Sequence, residues 1–588
     1  MKLPRINIKN QYTRRMIAFG GLNVTKNIAE GEMCECSGIS HSAFPAITQR
    51  QKPQNLGYTS PDAVHFEKDL FVADGGKLYY GEKCVGECSV GKKQIASMNG
   101  RILMFPDKIY YDTNTGETGR LDAEYTLYNA TFAANSLSVE KIRVVESTQT
   151  EEIELRIGDA LLTYSTVETN MGKVVAKGFA SIPCQDVQEG TFFSNGCLSN
   201  QYRTAHGVII DERKGTVRIS CELVSIRNAN EGVFSQFRIG DVVEISGSEN
   251  AQNNKLAVIT QIGDATLFFD AETFVQTEET GVITVKRKIP DFSCVCNFGN
   301  RLWGCEGNTI YASKLGDPFN YFVYNQLSTD SFTVTSNTSG DFTACVPYGG
   351  SCFFFKENSC YKLYGSRPSN FQLIETLCGG VTEDCVGSVI STFSGVFYSN
   401  NEGVYLSYGG ASRCISQKLE GISIKNAVAG CDNRRYYIAC DNENGRILYV
   451  YDIEKDLWSV FGETTAKDFC YCNGALHIAS TEGLLKLTDK VDDECEWYFT
   501  LCETDENYHK TKSYNKLYIS LELEEKSWVC VELETDGGPM EKVSYIRGDK
   551  NRHVKIPVCV KKCHEMKIKI SGKGKSVIES IVREFSVN

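Results

Sequence analysis

The chain has 588 residues, 41% of them hydrophobic, 11% aromatic and 23% charged, and carries a net charge of −12. That length is too great for one hydrophobic core and implies about three to four domains. The acidic balance excludes a surface built to neutralise many phosphates, and no stretch approaches the roughly 18 apolar residues of a membrane span.

In chain order, residues 1–60 read as an N-terminal arm with a first strand. The opening MKLPRINIKNQYTRR lacks the apolar centre of a signal peptide, so synthesis in the cytosol is expected. Helix is nearly absent, and a short turn near Ser37 to Ser42 is its best candidate. A hairpin unit then recurs: an apolar strand, a polar turn, and a second strand with Tyr near its start. Its copies are DLFVADGGKLYYGE from Asp69, RILMFPDKIYYDTNTG from Arg101, RLWGCEGNTIYASKLG from Arg301 and SCFFFKENSCYKLYG from Ser351. GVFYSNNEGVYLSYGG from Gly395, RYYIACDNENGRILYVYD from Arg435 and ALHIASTEGLLKLTD from Ala475 complete the set. The later copies start about every 40 to 50 residues, the length of a four-stranded propeller blade. The 51 Gly against 12 Pro fit many strands joined by tight turns.

The period is interrupted twice. Across 122–290 the tyrosine hairpins give way to alternating strands such as GTVRISCELVSIR, FRIGDVVEISG and NNKLAVITQIGDATLFFD. These read as inserted β-barrel or sandwich domains, which surface loops tolerate at small entropic cost. From 491 to 588, KLYISLELEEKSWVCVELETDGG and its successors alternate with period two, as a β-sandwich does. The expected fold is therefore all-β: a six- or seven-bladed β-propeller formed by 61–121 and 291–490, an inserted β-barrel or sandwich region, and a C-terminal β-sandwich.

The sequence contains no nucleophile elbow, Walker loop, HExxH or EF-hand loop. The seven histidines (His41, His65, His206, His477, His509, His553, His564) show no ligand spacing. The 25 cysteines contain no CxxC pair; Cys84–Cys88 and Cys559–Cys563 with His564 lack matching partners. Buried reduced thiols packing as small hydrophobes are expected instead, as at Cys294, Cys296, Cys352, Cys470 and Cys472. The acidic pairs Asp492–Asp493 and Glu151–Glu152 fall in expected loops, and sequence alone does not bring them to one cleft as glycosidase chemistry requires. Trp303, Trp458, Trp497 and Trp528 are candidates for sugar contact, with core packing the plainer reading. The sequons at Asn129 and Asn337 carry no meaning without a secretory leader. No catalytic, cofactor or metal residues are assigned, no cofactor is expected, and the expectation is that the chain is not an enzyme.

Several segments resemble a group of tailed-bacteriophage β-propeller proteins, the tail hub, nozzle or DNA-stabilisation proteins below the portal. They are Phe19–Asn23 with Glu30–Glu32 and Phe44–Arg50 near the start. Asn300–Gly304, Asn308–Ser313, Gly316–Asn320, Tyr364–Phe371 and Tyr398–Tyr405 follow, with Val560–His564 and Lys567–Gly572 at the end. The resemblance implies a structural virion protein in the viral tail, assembled in the host bacterial cytoplasm. It implies a homo-oligomeric ring such as a hexamer, with other phage tail or portal-adaptor proteins as partners. DNA would pass through its lumen during ejection without sequence-specific binding, which an acidic surface allows. The alternatives are a receptor- or glycan-binding tail protein and, behind it, a polysaccharide hydrolase.

Overall fold

The computed structural model describes residues 11–128, 234–263, 266–270, 277–278, 281–443, 445–550 and 552–587, with the backbone of the strand segments between 131 and 227. The chain divides into two compact units: residues 1–119, 291–312 and 333–588 form one, and 120–290 with 313–332 form the other.

In the first unit, every copy of the hairpin repeat forms the two middle strands of a four-stranded antiparallel sheet. In the sheet Phe342–Tyr348, Ser351–Lys356, Cys360–Tyr364, Gln372–Glu375, all six residues of Ser351–Lys356 are buried. A strand covered on both faces needs a continuous apolar run rather than alternation, and Cys-Phe-Phe-Phe supplies it. The sheet of Ala466–Cys472, Ala475–Ser480 and Gly483–Val491 takes its fourth strand, Gln51–Asn55, from the N-terminal arm.

The remaining strands of this unit form a four-stranded sheet, in which Gln11–Met16 pairs with Ser576–Val587, a five-stranded sheet containing Glu496–Thr504 and Met566–Lys573, and a two-stranded sheet of Ile39–Ser40 with Thr48–Gln49. Leu517, Ile519 and Leu521 of the first share a core with Phe499, Val531 and Ile570 of the second. Within that core, buried Arg583 holds Glu506 at 2.6 Å and reaches exposed Glu30 at 2.6 Å.

The second unit contains an eight-stranded and a six-stranded antiparallel sheet. The larger packs Leu127, Phe234, Val243, Ile259, Phe269 and Val285 into one core. Its ionic centre is buried Arg287, which pairs with buried Asp241 and donates to Leu121 O at 2.7 Å. Phe319 lies under the same guanidinium.

The fold expectation is corrected in one respect. Among the described residues the architecture is all-β, made of many small discrete antiparallel sheets, and is not closed into a barrel or a six- or seven-bladed propeller. The physical reason is that hairpin spacing fixes which strands pair locally, while closure depends on packing between sheets far apart in sequence. Among the described residues there is no α-helix, only short 3-10 turns such as Glu383–Cys385. The expected turn near Ser37 to Ser42 is instead the end of strand Met33–Ser37 followed by strand Ile39–Ser40.

Candidate functional site

The first strands of the four-stranded sheets are less buried than the middle ones and line an open cleft of about 540 Å³ in the first unit. Its walls come from Pro61–Glu67, Gln94–Met98 and the loop before it, Ile390–Thr392, Lys425–Cys431 and Ala466–Cys472.

Two of these strands carry a β-bulge at their start. Pro61 pairs with Asp74 and Ala63 with Ala73, leaving Asp62 as the surplus residue. Ala466 pairs with Ser480 and Asp468 with Ala479, leaving Lys467. A bulge breaks the strict alternation of side chains and re-aims one of them, so consecutive residues Lys467 and Asp468 both line the cleft. Lys467 Nζ meets Asp62 Oδ1 at 2.8 Å and donates to Ser60 Oγ at 3.1 Å, while Gly91 N donates to Asp62 Oδ2 at 2.9 Å.

Asp468 is half-buried, open to the cleft and enclosed by protein elsewhere. It accepts from Val64 N and Phe469 N, each at 2.9 Å. Burial outweighs these bonds and pushes its carboxyl up to about 6. Lys92 favours the charged carboxylate across the cleft, and its own ammonium is lowered by burial. His65 bonds Ser97 Oγ at 2.7 Å, and burial holds its imidazole down to about 4, so it is neutral near pH 7. Phe469 and Tyr471 add flat apolar surface. The Phe469 ring fits because residue 430 is glycine: a Cβ there would lie 2.5 Å from Phe469 Cβ.

The cleft thus offers a carboxyl poised to give or take a proton near neutral pH, a second carboxylate locked to a lysine, and a neutral imidazole. Pairs of acids in unlike surroundings are how proteins divide acid and base roles.

Among the histidines with described side chains, His65 alone lines the cleft. His41 is buried with Nε2 at 2.9 Å from Gly20 O, His477 Nδ1 sits 3.3 Å from Cys472 Sγ, and His553 Nδ1 2.8 Å from Ser520 Oγ. Asp492 and Asp493 are tied to Arg50 and Lys52, away from the cleft. Trp303, Trp458 and Trp497 are buried, and Trp528 stacks on Tyr545. The side chains of His206 and Glu152, all of Glu151, and Asn129 lie outside the described residues. Cysteines with described side chains are free thiols, many of them buried. Among the described residues no cluster of three or more His, Cys, Asp or Glu is arranged to hold a metal ion, and no helix is long and apolar enough to cross a membrane. Asp62, Lys92, Lys467 and Asp468 escaped sequence reasoning because nothing in a one-dimensional pattern announces a bulge or joins residues about 400 apart.

No family model matches the chain, and no curated protein matches it. Among solved structures, it is similar to an exo-β-1,3-galactanase from Phanerochaete chrysosporium at 10% identity and TM-score 0.21, over 50% of this chain and 96% of that one. It is similar to PorZ, a bacterial surface component of the type-IX secretion system of Porphyromonas gingivalis, at 10% identity and TM-score 0.23, over 84% and 77%. A third is a glycoside hydrolase family 43 arabinoxylan arabinofuranohydrolase from Bacillus subtilis, at 9% identity and TM-score 0.16, over 72% and 95%. Likenesses this slight fix neither a family nor an activity. The expected membership among phage tail hub or nozzle proteins is corrected: the closed propeller on which that resemblance rests is not formed, and neither a family model nor a curated protein supports it. The expectation that the chain is not an enzyme is corrected on the cleft itself, which holds a carboxyl raised toward neutral pH beside a carboxylate paired with a lysine.

Proposed function

We propose that the first unit binds a glycan in the charged cleft. The observation that carries this reading is that charges of the cleft wall are already paired: Asp62 with Lys467 at 2.8 Å, and Lys93 with Asp107 at 2.6 Å. A charged ligand would have to displace one of these partners. A neutral ligand rich in hydroxyls takes up the remaining donor and acceptor positions, and Phe469 and Tyr471 match the C–H faces of its rings. The test is an array of neutral and acidic oligosaccharides probed with the intact chain and with Asp62→Asn/Lys467→Met. Binding by the wild type that drops at least tenfold in the double variant supports the reading. Absence of binding across the array, or equal binding by both proteins, overturns it.

A second reading, hydrolysis of the bound glycan, is favoured by one observation, the raised carboxyl of Asp468. A general acid works best with a pKa near the operating pH. Product release from a bound oligosaccharide that peaks between about pH 5 and 7 and vanishes in Asp468→Asn supports it; no release from any bound sugar ends it.

A further inference from the structure

Away from the cleft, five thiols of the first unit converge where the strand Cys294–Phe298 lies against Phe342–Tyr348 of the next sheet. Cys294 and Cys305 face each other across the ladder. Cys294 also meets Cys345, Cys345 meets Cys296, and Cys296 Sγ lies 3.4 Å from Cys352 Sγ. The sulfurs therefore run as a string: Cys305, Cys294, Cys345, Cys296, Cys352. Four of them are buried, and Cys345, in the middle, is half-buried and the nearest of the five to solvent.

We propose that this string is an oxidation site, at which a peroxide entering past Cys345 converts Cys296 and Cys352 into a disulfide joining two neighbouring sheets. Cys294 and Cys296 each lie between two neighbouring thiols that favour their thiolates, and Cys296 is the attacking sulfur of this pair because Cys352 Sγ stands 3.4 Å from it; its thiol is lowered, while those of Cys352 and Cys345 are raised. A thiolate, not a thiol, reacts with peroxide. The Cys296 sulfur takes one peroxide oxygen, the O–O bond breaks, and the other oxygen leaves as water, giving a sulfenic acid. Cys352 then attacks that sulfur, its proton leaves with the hydroxyl as a second water, and the S–S bond forms. Two thiols and one hydrogen peroxide become one disulfide and two waters. The 3.4 Å separation closes to a bond of about 2.05 Å by side-chain rotation of the two cysteines.

The experiment treats the intact reduced protein with hydrogen peroxide, blocks remaining thiols in denaturant at low pH, and locates cross-links by fragmentation mass spectrometry. The expected result is a loss of two hydrogens with Cys296 joined to Cys352, reversed by dithiothreitol. The link is retained in Cys345→Ser and lost in Cys352→Ser. Cys296 recovered free, or joined to a different cysteine, in the wild type overturns the proposal without reliance on any variant's folding.

Discussion

Asp62 and Lys467, each the surplus residue of a β-bulge in its own sheet, meet at 2.8 Å across the wall of one cleft. Neither bulge alone makes a site. Together they turn two side chains that regular alternation would have aimed elsewhere into an ion pair facing a cavity, and they leave Asp468 beside it with its carboxyl open to the same space.

Asp62→Ala removes the partner of Lys467 and the acceptor of Gly91 N. The pair is partly open to solvent, so the expected cost is about 1–2 kcal/mol, read as a lower urea midpoint at unchanged slope. Glycan binding is expected to fall more steeply than stability does.

Asp468 makes stability depend on pH in a stated direction. Its carboxyl binds a proton more tightly in the folded chain, at about 6, than in the unfolded one, at 3.8. Its contribution is therefore greatest at or below pH 4 and is lost as pH rises through about 6. Because the group touches cleft water, the change is about 1–2 kcal/mol. Thermal melts of the wild type and Asp468→Asn from pH 4 to 7 should diverge, with the wild type losing more stability on going up; parallel curves contradict this.

Gly430→Ala places a Cβ 2.5 Å from Phe469 Cβ and about as close to its ring. Overpacking of this kind costs about 1–3 kcal/mol, and the ring must shift in the cleft wall. Weaker saccharide binding with retained circular dichroism is the expected outcome, measured beside Gly349→Ala. Gly349 lies in a turn with no atom near its would-be Cβ, and its positive φ makes that control a measure of backbone strain alone.

Glu506→Gln leaves the buried Arg583 guanidinium with the exposed Glu30 as its one charged partner among the described residues. Breaking a buried pair by removing one member costs about 3–5 kcal/mol. Denaturant unfolding checks this, and a loss below about 1 kcal/mol would show that water replaces Glu506.

Much of the local structure was legible. Continuous apolar runs such as Ser351–Lys356 and turn chemistry such as Asp74-Gly-Gly-Lys77 mark strands and hairpins because burial on two faces and positive φ each demand particular residues. Closure was not legible: the period of Tyr405, Tyr449 and their equivalents fixes pairings within a sheet, and nothing in it specifies how sheets assemble. The cleft was hidden for a related reason. Asp62 and Asp468 sit in strands that read as ordinary, and their meeting depends on two one-residue register shifts and on a contact between distant segments, Val64 N to Asp468. Trp303, Trp458 and Trp497, weighed for sugar contact, were legible as core for the same reason they fail as ligands: a large apolar ring in a strand covered on both faces is buried.

The most direct measurement is a crystal structure of the intact chain with the oligosaccharide that binds it best. The account predicts sugar density in the cleft, with hydroxyls within hydrogen-bond distance of Asp62, Lys467 or Asp468 and a ring face against Phe469 or Tyr471. Sugar bound on another surface, with the cleft holding only water, would contradict it.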